Sequence, residues 1–160
     1  MIDLHCHMLP CVDDGAATED EALLMAHVAV DSGVTDVALT PHCNVPGQFD
    51  NYRDQRLEAC FLRLETLLRQ ECIPLRLHRG MEVFATPELP HLLDDGLLLT
   101  LGGSRYLLVE FAFGESPWFA DELLRQIRRR ELIPVVAHPE RYYFIQDEPR
   151  HLLHWANEGC

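Results

Sequence analysis

The chain has 160 residues, of which 48% are hydrophobic and 24% charged, and its formal net charge is −13 at pH 7. That length can bury one hydrophobic core, and no apolar run is long enough to cross a bilayer. The acidic balance repels phosphate backbones and anionic lipids, which leaves nucleic-acid binding and membrane insertion without a physical footing.

The first strand is expected at Ile2 to His5. Asp3, His5 and His7 interrupt what a secretory signal would keep apolar, so a cytoplasmic location is expected. Helical periodicity follows from Glu19 to Ser32, with Thr18 as N-cap and Gly33 as C-cap. The β-branched run Val34 to Leu39 predicts a second strand, ending in Thr40-Pro41-His42. A helix over Asn51 to Gln70 carries Leu57, Phe61, Leu64 and Leu68 at helical spacing. Leu75 to Phe84 reads as a third strand and Tyr106 to Phe111 as a fourth, with Asp94-Asp95-Gly96 and Gly102-Gly103 as turns between them. A helix from Trp118 to Arg130 leads to a fifth strand, Ile133 to Ala137, and a last helix runs from about Pro149 to Asn157. The six cysteines contain no Cys-x-x-Cys pair and none begins a Cys-x5-Arg phosphate loop, so they are read as reduced, non-catalytic thiols.

Strands alternating with helices predict βαβ units and a parallel sheet curving toward a barrel. Each expected strand carries a histidine or glutamate toward its C-terminal end: His5 and His7, His42, Glu82, Glu110 and His138. In such barrels that end of the strands is the active-site face. Strand alternation puts His5 and His7 on one face and Cys6 on the other. A glutamate within an apolar strand costs several kcal/mol unless it is paired or binds a metal, so Glu82 and Glu110 are either buried ion pairs or ligands. With Asp14 the set reaches seven imidazoles and carboxylates, too many for one ion. It suits two or three Mn, Fe or Zn ions bridged by carboxylate, an arrangement used for hydrolysis. Asp13 is a neighbouring loop residue, or else both aspartates cap a turn.

The segments MIDLHCHMLPCVDDGA, TPH (Thr40–His42), GMEVF (Gly80–Phe84), LVEF (Leu108–Phe111) and AHPER (Ala137–Arg141) resemble, in order and over the whole chain, the polymerase and histidinol phosphatase (PHP) superfamily. Within it they are most similar to the manganese-dependent tyrosine-protein phosphatases of bacterial capsular and exopolysaccharide loci. The resemblance implies a distorted (β/α)7 barrel, with about five β/α units in this chain. It implies that His5 and His7 bind a first metal, that Glu82 bridges it to a second completed by Glu110 and His138, and that Asp14 and His42 belong to a third. Arg141 is then the phosphate clamp, its alternative being a surface arginine. The implied cofactor is Mn²⁺, and the implied reaction is attack of a metal-activated hydroxide on phosphotyrosine. The implied partner is a tyrosine autokinase of polysaccharide export, and the family is compatible with homo-oligomers. Trp118, Tyr142, Tyr143 and Phe144 are candidate aromatic walls, or else core residues.

The family pattern continues beyond AHPER to a further Asp-x-His motif, supplying the first and third metals, and no such motif follows Arg141 here. The expectation is therefore that residues 1–160 form one catalytic domain cut short on its C-terminal side. Two other readings stay open: a small-molecule phosphatase of the histidinol phosphate type, and a catalytically incomplete metal-binding fragment.

Overall fold

Local signals set the helix ends in the computed structural model, which describes residues 1–160. Strand β1 (Ile2–Cys6) is followed by helix α1 (Glu19–Asp31), where the Thr18 hydroxyl accepts the Glu21 N–H at 3.1 Å. Gly33, at φ +82°, ends that helix in a left-handed turn with Gly33 N–H on Val30 O and Val34 N–H on Ala29 O. The next elements are β2 (Asp36–Leu39), β3 (His42–Val45) and β4 (Phe49–Asp50). Helix α2 (Gln55–Gln70) is capped by Asp54 and buries Leu57, Phe61, Leu64 and Leu68 along one face, as their spacing predicts. After β5 (Arg76–Arg79), β6 (Glu82–Phe84) and α3 (Leu89–Asp94) come β7 (Tyr106–Glu110), α4 (Pro117–Arg128) and β8 (Ile133–Val136). Helices α5 (Tyr143–Asp147) and α6 (Arg150–Asn157) follow, and Trp155 of α6 donates its indole N–H to Asp121 of α4 at 2.7 Å.

The strands form two sheets. Parallel β1, β2 and β5 make one, in the order β1-β2-β5. The other runs β4-β3-β6-β7-β8, parallel except for the β3–β4 hairpin. One hydrophobic cluster joins Val37 and Leu39 of β2, Val83 of β6 and Leu107 and Val109 of β7 to Phe61, Leu64, Leu124 and Ile127 of the helices. Ala38, Leu101, Leu108 and Ala137 form a smaller cluster. Alternate residues of β2 and β7 thus go to different clusters, which is why both strands read as continuous apolar runs. No helix is long and apolar enough to cross a membrane.

Two expectations need correction. Leu75 to Phe84 is not one strand: β5 belongs to the first sheet and β6 to the second, with a step at Gly80-Met81. Gly80 sits where a Cβ would come within 3.3 Å of the Leu39 carbonyl and 3.1 Å of the Leu101 side chain, so a larger residue at the crossing would make these neighbours shift by a few tenths of an ångström. The chain steps in the same way at Thr40-Pro41, from β2 to β3. The two steps lie side by side, with Glu82 N–H on Pro41 O at 3.1 Å and His42 in register with Glu82. His42 and Glu82 therefore open strands of the second sheet instead of closing strands of the first. The β3–β4 hairpin was also unexpected. Pro46-Gly47 turns it, with Gly47 at φ +71° and Gln48 N–H on Val45 O.

Candidate metal centre

The seam between the two sheets collects the polar residues. His5 and His7 come from the end of β1, His42 and Glu82 from the starts of β3 and β6, Glu110 from the end of β7, and His138 from the turn after β8. With Asp14 they line one open pocket of about 800 Å³, whose mouth also carries Arg141.

Glu82 is the hub. Its side chain is 1% exposed, and its Oε2 lies 2.9 Å from His5 Nε2, 3.1 Å from His7 Nε2 and 3.3 Å from His42 Nδ1. Its Oε1 lies 2.9 Å from His138 Nε2. Glu110 is 3.3 Å from His42 Nδ1 and 3.2 Å from His138 Nε2. His5 Nε2 and His7 Nε2 are 3.1 Å apart, so only one proton can lie between them. Asp14, at the exposed end of the set, stands 3.5 Å from His42 Nε2.

Three groups of residues bring one potential ligand atom each within 4.8 Å of one another: His5, His7 and Glu82; His7, Asp14 and His42; and His42, Glu82 and Glu110. His42 Nδ1 is buried and makes no hydrogen bond although two carboxylates face it. Burial alone would favour neutral side chains here, yet the carboxylate–imidazole contacts win. His7 is pushed up from its ordinary 6.5 to about 10 against the cost of burial, by Asp13 and Glu82. His42 is raised, also against burial, by Glu110 and Glu82. Burial works against ionisation of Glu82, but hydrogen bonds from His5 and His7 hold it well below the usual carboxylate range. Imidazole nitrogens and carboxylate oxygens converging on one space, with Nδ1 of both His42 and His138 buried and unpartnered, fit divalent cations of the hard-to-borderline kind.

The loop from His7 to Ala16 orients this set. Asp13 Oδ2 accepts His7 Nδ1–H at 2.7 Å and the His42 N–H at 2.9 Å, while Oδ1 accepts the Gly15 N–H at 3.0 Å. The first bond fixes the tautomer that turns His7 Nε2 toward Glu82. Gly15 packs against the His7 carbonyl so closely that a Cβ would collide with it. Burial holds the Cys6 thiol at about 11, and it packs against the core on the opposite face from the histidines.

Tyr142 departs from the wall reading. It is fully buried, and its hydroxyl accepts the Phe111 N–H at 3.1 Å and donates to the Ala137 carbonyl at 2.7 Å. It thereby ties the residue after Glu110 to the residue before His138. His138 itself sits in the left-handed region at φ 31°, a conformation that costs a non-glycine residue on the order of 1–3 kcal/mol. Phe144 stacks on Tyr142 at 6.0 Å, and Trp118 and Tyr143 are exposed outside the pocket lining. The aromatic residues that do line it are Phe49, Phe84, Phe111 and Phe113. The Pro-Gly turn is the signal that would have placed Phe49.

An imidazole–carboxylate cluster at the seam of two mainly parallel sheets defines a site suited to more than one divalent ion. The chain belongs to the CpsB/CapC family of capsular polysaccharide synthesis, whose sequence profile matches residues 1–160. It is 37% identical to the tyrosine-protein phosphatase YwqE of Bacillus subtilis, over the whole of this chain and 62% of that protein. It is 31% identical to the putative tyrosine-protein phosphatase CapC of Staphylococcus aureus, over all of this chain and 62% of that one. For the tyrosine-protein phosphatase CpsB of Streptococcus pneumoniae the figures are 27%, all of this chain and 65% of that one. The fold superposes with a TM-score of 0.91 and 35% identity on a chain from the crystal structures of YwqE and CpsB, described as unique metal-dependent tyrosine phosphatases. The match covers 100% of this chain and 64% of that one. The chain thus spans a little under two thirds of the length of these relatives.

Proposed function

We propose that the chain carries the metal centre of a metal-dependent phosphatase that hydrolyses phosphotyrosine on protein in the cytoplasm. The observation that carries this reading is Glu82, a buried carboxylate that four imidazoles approach and no arginine pairs with. His5, His7 and Glu82 would hold one ion, Glu82, Glu110 and His138 a second, and Asp14 and His42 a third; Mn²⁺ is the ion the family resemblance implies. When bound, such ions polarise phosphoryl oxygens and acidify water.

The chain's own residues account for the rest. Asp14, Glu82 and Glu110 repel a phosphomonoester except where cations, whether protonated imidazoles, Arg141 or metal ions, offset them. Arg141 stands at the mouth with its side chain 59% exposed and its nearest carboxylate, Glu140, 3.9 Å away, so its guanidinium is available to fork onto two phosphoryl oxygens. Asp13 holds His7 in one tautomer throughout. The bond broken joins phosphorus to a phenolate oxygen, whose ordinary pKa of about 10 lets it leave with little help from a general acid.

The fold fits about five β/α units of a distorted (β/α)7 barrel, with residues 1–160 as one catalytic domain. The capsule-family membership supports a tyrosine kinase of polysaccharide synthesis as the phosphorylated partner. The test is phosphate release from a phosphotyrosine peptide and from histidinol phosphate by the Mn²⁺-loaded protein, with a chelator and Arg141→Ala as controls. Chelator-sensitive turnover of the peptide, with KM raised about tenfold or more by Arg141→Ala, is expected. Preference for histidinol phosphate, or turnover that survives the chelator, would overturn the reading.

A further inference from the structure

Six aromatic rings follow one another around the pocket. Phe49 lies flat on His42, with centroids 5.6 Å apart and planes 10° apart. His42 neighbours His7 at 4.5 Å, His7 neighbours His5 at 5.2 Å, and His5 neighbours His138 at 6.0 Å. Phe113 closes the row, edge-on to His138 at 6.2 Å. The four imidazoles turn nitrogens toward Glu82, whereas the two end rings have no polar atom to contribute and still line the pocket. Phe113 leaves 46% of its surface in water, so folding gains little from a phenyl group there. Phe49 is delivered to its place by the Pro46-Gly47 turn, on the edge strand of the second sheet.

We propose that Phe49 and Phe113 are the walls that recognise an aryl group, selecting aryl over alkyl phosphomonoesters. The inference rests on the phosphomonoester reading and adds to it which residues choose the ester. A phosphoryl group held among the imidazoles and carboxylates leaves its ester oxygen and substituent directed to the mouth, past the ends of the row. A flat ring there meets one phenyl by its face or the other by its edge, and an alkyl chain gains neither contact. Phe111 does not share this role because it is buried against Tyr142 and Trp155. Each wall is expected to favour an aryl ester about two- to tenfold.

The test compares binding of phenylphosphonate and methylphosphonate, which are not hydrolysed, to the Mn²⁺-loaded protein and to its Phe49→Leu and Phe113→Ala variants. Phe49→Leu keeps apolar bulk over His42 while removing the flat face, and metal content is measured on every sample. Phenylphosphonate is expected to bind about tenfold or more tightly than methylphosphonate to the parent. That ratio should fall about two- to tenfold in each variant at unchanged metal content. No preference in the parent, no binding of either phosphonate, or a ratio that both variants leave unchanged would overturn the inference. Phosphate release from phosphotyrosine, followed in parallel, separates the two readings. A phenylalanine-dependent preference without turnover keeps the walls and removes the phosphatase, while turnover with a variant-independent ratio does the reverse.

Discussion

Asp36 and Glu82 are both buried carboxylates on central strands, and each has histidine beside it. Asp36 pairs with a permanent cation, since Arg76 forks onto it at 2.7 and 2.6 Å, with the Thr35 hydroxyl at 2.7 Å and His78 at 3.0 Å. Arg76, then His78 and Thr35, hold Asp36 well below the usual carboxylate range. That site is complete as folded. Glu82 has only imidazoles, whose charge depends on protons, and two of them, His42 and His138, keep an unpartnered nitrogen. A histidine next to a buried carboxylate is therefore weak evidence for a metal, and the lack of a permanent cation is what separates the two sites.

The contrast breaks most directly at Glu82. Glu82→Gln preserves shape and removes the shared charge, so metal content should drop and phosphate release fall by about 10²- to 10³-fold. Retention of both, measured by elemental analysis and turnover, would make Glu82 a structural pair like Asp36. Asp13→Asn comes next. An amide supplies one oxygen where three N–H donors now find two, so metal affinity should fall about 10- to 100-fold in a chelator competition.

The two sites also differ in the sign of their pH dependence. His7 is raised in the metal-free fold, so the stability it contributes is present below about 6.5 and is lost as the pH rises through about 10. Asp36 is lowered, so its contribution is present above its ordinary 3.8 and is lost as the pH falls below that. Denaturant unfolding across pH should show the alkaline loss only with chelator present, because a metal requires His7 neutral, and the acid loss with or without it. Tyr142→Phe strands the buried Phe111 N–H and Ala137 carbonyl, at a cost of about 1–3 kcal/mol in the same unfolding assay. Arg76→Met should have the smallest effect on the metal, whose content stays unchanged, while stability falls because Asp36 keeps only Thr35 and His78 as side-chain partners. A loss of metal there would mean that the two sites are coupled.

The elements that could be read from sequence were those with local causes. Thr18, Gly33 and the spacing of Leu57, Phe61, Leu64 and Leu68 set α1 and α2 whatever the tertiary context. All seven candidate ligands reach one pocket for a similar reason: apolar strands tolerate a glutamate only where the fold gives it partners. What could not be read depends on long-range geometry. Leu75 to Phe84 carries no turn signal stronger than Gly80, and the step there follows from long-range pairing, of β5 with β2 in one sheet and of β6 with β3 in the other. Tyr142 is only half legible, since an aromatic residue after AHPER reads as a wall or as core, and the structure takes the core alternative through the amide and carbonyl that its hydroxyl joins.

The Tyr142 bond also makes the centre observable without a substrate. The Phe111 amide proton is committed to a side-chain oxygen, not to a neighbouring strand, so it exchanges with solvent only when Tyr142 withdraws and the ends of β7 and β8 part. Deuterium uptake at that one amide is therefore a clock for local opening around Glu110 and His138.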